Sequence, residues 1–174
     1  MVVKGLTFKK FITSARIHKV VETLAAQIST DYKDKVPTFL PILNGSFIFG
    51  SDLIKELSID CKVSFVKVSS YSGTASSGQL KTLLGHEDSV FGQDIVIVED
   101  IVDTGLTLQK IMEELADRGA KSVETVTLFR KKPAREKKVM VKYVGFELDD
   151  EFVLGYGLDL DGIGRNYKDL YIKS

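Results

Sequence analysis

The chain has 174 residues, 44% of them hydrophobic, which suits one domain with a substantial core. Lysine plus arginine and aspartate plus glutamate each number 24, so the formal charge is zero and broad electrostatic capture of nucleic acid or an anionic membrane is disfavoured. Cys61 stands alone, which excludes a disulfide framework and a thiolate zinc cluster. The chain shows no apolar leader, and nothing approaches the roughly 18 apolar residues of a spanning helix, so a cytoplasmic location is expected.

In chain order, Ile17, Val20, Val21, Leu24, Ala25 and Ile28 recur at spacings of three and four, which predicts an amphipathic helix over residues 14–28 with Ser14 as N-cap. His18 falls on its polar side. Residues 38–43 read as a strand that Pro41 weakens locally, Asn44-Gly45-Ser46 as a turn with Ser46 as a cap, and 47–57 as a helix. Cys61 to Ser69 is rich in Val and Phe and reads as a strand, whereas Tyr71 to Gly78 is too poor in apolar groups to be core. Residues 94–98 form an apolar run that leads through an acidic turn into a helix with Leu108, Ile111, Met112, Leu115 and Ala116 on one face, closing near Gly119. A strand follows over 123–129, and short β-like pieces over 139–144 and 152–156. Two strand–helix–strand units imply a layered α/β sheet with parallel strands, and such sheets bind ligands at the carboxyl ends of their strands, where Gly45 and Gly105 both fall.

The acidic turn, Glu99-Asp100-Ile101-Val102-Asp103-Thr104-Gly105-Leu106-Thr107, reads as an address for a sugar phosphate. A helix start offers unpaired backbone N–H groups and the positive end of the helix dipole, and Gly105 lets an oxyanion approach the backbone. The carboxylates would repel that phosphate. They must serve another part of the ligand, such as ribose hydroxyls, a bridging Mg²⁺ or a developing positive charge.

Glu99 to Gly105 closely resembles the phosphoribosyl pyrophosphate motif of the type I phosphoribosyltransferases. Val144-Gly145-Phe146-Glu147 and Phe152 to Asp159 resemble the base-recognition segment of the hypoxanthine-guanine phosphoribosyltransferases, and Leu43 to Phe47 and Ser70-Tyr71 fall in the expected order. The resemblance implies one domain over 1–174: a mostly parallel central sheet flanked by helices, a small hood built from terminal segments, a lid at about 71–92 and a base-recognition segment at about 131–165. It implies Mg²⁺-dependent transfer of phosphoribose from phosphoribosyl pyrophosphate to a 6-oxopurine, in a homodimer or homotetramer that binds neither nucleic acid nor membrane.

Residue by residue, the resemblance makes Asp103 the proton acceptor at N7 of the purine. It gives Thr104, Gly105, Leu106 and Thr107 to the 5′-phosphate, and Glu99 and Asp100 to the ribose diol and its Mg²⁺. Lys131 takes the exocyclic O6, with Lys132 as the adjacent alternative, and so selects 6-oxopurines over adenine. Phe152 stacks on the base and Val153 reads its edge through the backbone. Asp159 contacts a metal-bound water or the base, and Arg165 the pyrophosphate. Asn44 and Gly45 bind pyrophosphate by their backbone through an unusual cis peptide. Ser70 and Tyr71 begin the lid, whose closure would keep water from an oxocarbenium-like centre. Two positions depart from the pattern. Asn44 replaces a frequent lysine or arginine and lacks its charge, and Leu106 replaces a polar or basic residue whose side chain need not face the ligand.

Other readings are weaker. Arg130, Lys131, Lys132, Arg135, Lys137 and Lys138 together suit a solvated basic turn, the preferred reading for most of them. Asp159-Leu160-Asp161-Gly162 has the start of a calcium loop, but its glycine comes too early and no closing glutamate follows; as a phosphatase signature it lies too near the end for the rest to follow. His18 and His86 have no partners at metal-ligand spacing. A regulator of the same fold that binds nucleotide and nucleic acid would need a basic surface, and the segment from Phe152 to Asp159 disfavours adenine or orotate as the base.

Overall fold

A computed structural model describes residues 1–69, 81–82, 90–132, 134 and 140–174, with only the backbone described at 68, 69, 81 and 82. Most of the expected lid, including Ser70 and Tyr71, lies outside the described residues, as do His86, Arg135, Lys137 and Lys138.

Two sheets make the frame. The larger takes β3 (Thr38–Leu43), β4 (Lys62–Val63), β5 (Val66–Ser69), β6 (Lys81–Thr82), β7 (Asp94–Val102), β8 (Ser122–Lys131) and β9 (Tyr143–Leu148) in the order β6-β5-β3-β7-β8-β9, with β4 beside β3. All of its pairings are parallel except that of β5 with β6. The smaller sheet, β1 (Val2–Val3), β2 (Leu6–Ile12), β11 (Leu170–Lys173) and β10 (Val153–Leu154), is antiparallel and joins the two termini into the expected hood. Helices α1 (Ser14–Asp31), α2 (Phe47–Glu56) and α3 (Leu106–Asp117) follow β2, β3 and β7 along the chain.

Period-two alternation sorts the central strands onto two faces. Phe39, Val96, Val98, Val126 and Leu128 pack with Ile17, Val21 and Leu24 of α1 and with Phe49 and Leu53 of α2. Leu40, Ile42, Ile95 and Ile97 pack on the other face with Leu108, Ile111 and Leu115 of α3. Each fully buried aliphatic side chain contributes roughly 1.5–3 kcal/mol. The hood has its own small cluster, Val3, Phe8 and Leu154. Among the described residues no helix is long and apolar enough to cross a membrane.

The structure corrects several local expectations. Thr13, not Ser14, caps α1: its Oγ1 accepts from the Arg16 N–H at 3.3 Å, while the Ser14 N–H donates to Asp169 Oδ1 at 2.7 Å. Ser46 stands at the N-cap of α2 as expected but makes no side-chain capping bond, its hydroxyl donating instead to Ile42 O at 2.6 Å. The strand expected over 61–69 is split into β4 and β5. The break lies opposite Leu40-Pro41, where β3 has one backbone donor fewer. The strand expected over 139–144 is instead β9, whose Tyr143, Phe146 and Leu148 face the core. Of the piece expected over 152–156 only β10 joins the sheet, since Gly155 and Tyr156 turn away at φ 104° and 50°, and Gly155 forms only an isolated bridge with Leu158. Most important for the site, β7 runs on to Val102, so Glu99 and Asp100 are strand residues and only Asp103 to Gly105 make the turn.

Candidate active site

The carboxyl ends of β3, β7 and β8 open into a cavity of about 350 Å³. Nine of the expected residues line it: Gly45, Glu99, Asp100, Asp103, Lys131, Phe152, Val153, Asp159 and Arg165. Ile42, Leu43, Ile101 and Leu158 also line it. Ile42, Leu43 and Ile101 come from the carboxyl ends of β3 and β7, and Leu158 from the loop after β10. Lys131 lines it and Lys132 does not.

Glu99 and Asp100 alternate along β7; Asp100 is buried and Glu99 half-buried. The Asp100 carboxylate accepts from the Ile101 N–H at 2.9 Å. Burial nevertheless pushes its carboxyl up to about 6, against that N–H and the nearby charge of Arg165. Glu99 is half-buried, its Oε2 lies out of water with no hydrogen-bond partner, and burial, with the adjacent Asp100 charge, raises its carboxyl well above the usual carboxylate range. An orphaned buried carboxylate oxygen is costly in a free protein and points to a ligand that satisfies it.

Asp103, past the end of β7, is exposed and meets Lys131 at 3.3 Å, on the neighbouring strand end. Gly105 follows at φ 75° and begins α3 with no side-chain cap, so the first-turn amides are left for another acceptor. Thr104 and Thr107 are exposed at this helix start, as is Leu106, whose side chain lies outside the cavity lining.

Two loops close the opposite wall. The Leu43–Asn44 peptide is cis, Asn44 is exposed, and Gly45 packs so tightly on Asp100 that any Cβ there would overlap its carboxylate. Gly157, at φ 98°, packs on Gly45 O with equally little room. Arg165 then binds this second loop, donating from Nη1 to Gly157 O at 2.6 Å and pairing through Nη2 with Asp159 Oδ1 at 2.6 Å. The other Asp159 oxygen accepts from the Gly162 N–H at 2.6 Å. Tyr156 anchors the loop from behind through its hydroxyl, which donates to Asp52 Oδ2 at 2.7 Å. Phe152 remains 41% exposed at the cavity's edge, with its ring 6.1 Å from that of Phe8 in the hood. His18 stays at the surface near Glu56, away from this cavity.

Comparison with known proteins gives this arrangement a family. Residues 12–161 match the phosphoribosyl transferase domain. The hypoxanthine-guanine phosphoribosyltransferase of Bacillus subtilis (strain 168) is 41% identical over 159 residues, covering 91% of this chain and 88% of the relative. That of Dictyostelium discoideum is 40% identical over 163 residues, covering 91% and 89%. Among solved structures, a Staphylococcus aureus hypoxanthine phosphoribosyltransferase superposes with a TM-score of 0.87 at 38% identity, covering 97% of this chain and 92% of that one. The hypoxanthine-guanine enzyme of Bacillus anthracis gives 0.86 at 30%, covering 96% and 98%. With the type I fold and the acidic strand end in place, the chain belongs to the hypoxanthine-guanine phosphoribosyltransferase family.

Proposed function

We propose that this enzyme serves purine salvage, transferring the 5-phosphoribosyl group of phosphoribosyl pyrophosphate to N9 of hypoxanthine or guanine and giving IMP or GMP. The N9–C1 bond forms as the bond from C1 to pyrophosphate breaks, and the electron pair leaves with pyrophosphate. The observation that carries the reading is the pairing of Asp103 with Lys131 inside a cavity whose rim is an uncapped helix start.

Each group then has a task. The backbone amides and hydroxyls from Thr104 to Thr107 hold the 5′-phosphate. Lys131 donates to O6, which adenine's amino group cannot accept. Phe152 stacks on the base, Val153 reads its edge, and Asp103 takes the proton that N7 loses as N9 bonds to C1. The Leu43 to Gly45 backbone and Arg165 hold pyrophosphate. The zero net charge supports this catalytic reading over a nucleic-acid-binding regulator.

Glu99 and Asp100 fit a hard divalent cation, since two carboxylates line the cavity and one buried oxygen lacks a partner. Among the described residues no three side chains of the metal-ligating types form a cluster able to hold an ion, and Asp159 is already engaged by Arg165 and Gly162. Glu99 and Asp100 are thus the residues that would hold Mg²⁺, and the ion when bound would supply neutralising charge for pyrophosphate. We assign the working molecule as a homodimer or homotetramer, a reading supported by the exposed Phe47 and Phe65 and checked by sedimentation.

Mixing the protein with phosphoribosyl pyrophosphate, Mg²⁺ and each base in turn, and following nucleotide formation by absorbance, tests the proposal. Turnover with hypoxanthine and guanine but not adenine is expected. No turnover with hypoxanthine, guanine or xanthine would overturn it.

A further inference from the structure

Three neighbouring parallel strands bring an acid, a base and an acid into one row. Val102 at the end of β7 pairs with Arg130 of β8, and Arg130 and Lys131 pair with Glu147 and Leu148 of β9. Asp103 follows β7 directly and Asp150 lies just past β9. Lys131 Nζ sits between them, 3.3 Å from Asp103 Oδ2 and 3.4 Å from Asp150 Oδ1. The lysine side chain is 12% exposed, against 55% for Asp103 and 68% for Asp150. The ammonium is therefore the enclosed member, held from both sides by acids that reach in from solvent.

An ammonium has three N–H donors, and two of them face these carboxylates, which leaves a third for an acceptor inside the cavity. The lysine stem is long and flexible, so its charge goes where the nearest anions place it. With Asp103 as sole partner it would settle on the very carboxylate that must accept the proton from N7. Asp150 pulls from the opposite strand.

We propose that Asp150 is a positioning residue for 6-oxopurine selection: it holds Lys131 midway along the row, where the ammonium reaches O6 and leaves an Asp103 oxygen open to N7. The inference rests on the roles of Asp103 and Lys131 given above. So exposed a carboxylate contributes little to folding, which separates this role from a structural one.

Steady-state kinetics on the full chain with Mg²⁺ and phosphoribosyl pyrophosphate test it. Asp150→Asn should raise KM for hypoxanthine on the order of tenfold, as expected for losing a charged hydrogen bond, and also lower kcat, because the released ammonium settles on Asp103. KM for phosphoribosyl pyrophosphate and the melting temperature should stay put, and Asp150→Glu should recover most of the loss. In a Lys131→Ala background, Asp150→Asn should add no further rise in KM, because its effect passes through the lysine. An unchanged KM for hypoxanthine in Asp150→Asn, a parallel rise for both substrates, or an undiminished effect in the Lys131→Ala background would overturn the role of Asp150 alone. Failure of the unsubstituted enzyme to use any 6-oxopurine would overturn the functional reading and this inference with it.

Discussion

Glu99 and Asp103 belong to one acidic segment, yet the sheet gives them opposite surroundings. Glu99 lies within β7, half-buried, beside a second carboxylate and with an oxygen out of water that no group satisfies. Asp103 lies past the strand end, open to solvent and paired with Lys131. The free protein thus stores unfavourable electrostatics at one end of the segment and has already balanced the other. The enclosed end suits a group that arrives with positive charge or hydroxyl donors. The open end suits a carboxylate that must change protonation during turnover without disturbing the fold.

The largest expected effect falls on the open end. Asp103→Asn keeps the shape and removes the proton acceptor, so kcat should drop roughly a hundredfold to a thousandfold while the Kd for phosphoribosyl pyrophosphate changes little. Equal losses in kcat and in that affinity, measured by single-turnover kinetics and calorimetry, would contradict the division of labour. At the enclosed end the largest effect comes from a neighbour. Gly45→Ala would push a methyl group into the Asp100 carboxylate, and the turn must shift to make room. Phosphoribosyl pyrophosphate affinity should fall by about tenfold or more, since the same turn carries the proposed pyrophosphate-binding backbone. Unchanged affinity by calorimetry would show that the turn yields freely.

Periodicity reveals the frame of this protein but not its edges. The alternation in Ile95-Val96-Ile97-Val98 and the three-four spacing of α1 state which faces are buried, and the structure has them so. Where β7 ends was hidden, because Glu99 and Asp100 look like loop residues by polarity alone. Pairing with β8, which continues through Glu99↔Thr127 to Val102↔Arg130, keeps them in the sheet. The hood was invisible as strands for a related reason. Val2–Val3 and Leu6–Ile12 acquire partners only when Leu170–Lys173 arrives from the far end of the chain. In the site, the residues joined by a local motif were found together, whereas Asp150 shows no local pattern and gains its meaning from Lys131 across the strand ends.

The smallest effect tests the electrostatics of the enclosed end directly. Burial raises the carboxyls of both Glu99 and Asp100, the latter to about 6, so the folded chain retains protons that the unfolded chain releases above roughly pH 4. Stability from this pair is therefore full at low pH, declines as pH rises through about 6 and beyond, and the penalty is complete once both acids are forced to ionise in the folded state. Glu99→Gln removes one of the two charges and the mutual repulsion. The ligand-free variant should melt a few degrees above the wild type at pH 8 and close to it at pH 5. The same substitution should weaken Mg²⁺-dependent binding of phosphoribosyl pyrophosphate, since the orphaned oxygen is the one assigned to ribose and metal. A variant that melts lower than the wild type at pH 8 would mean that Glu99 is held by contacts that satisfy its charge, and the contrast with Asp103 would fail.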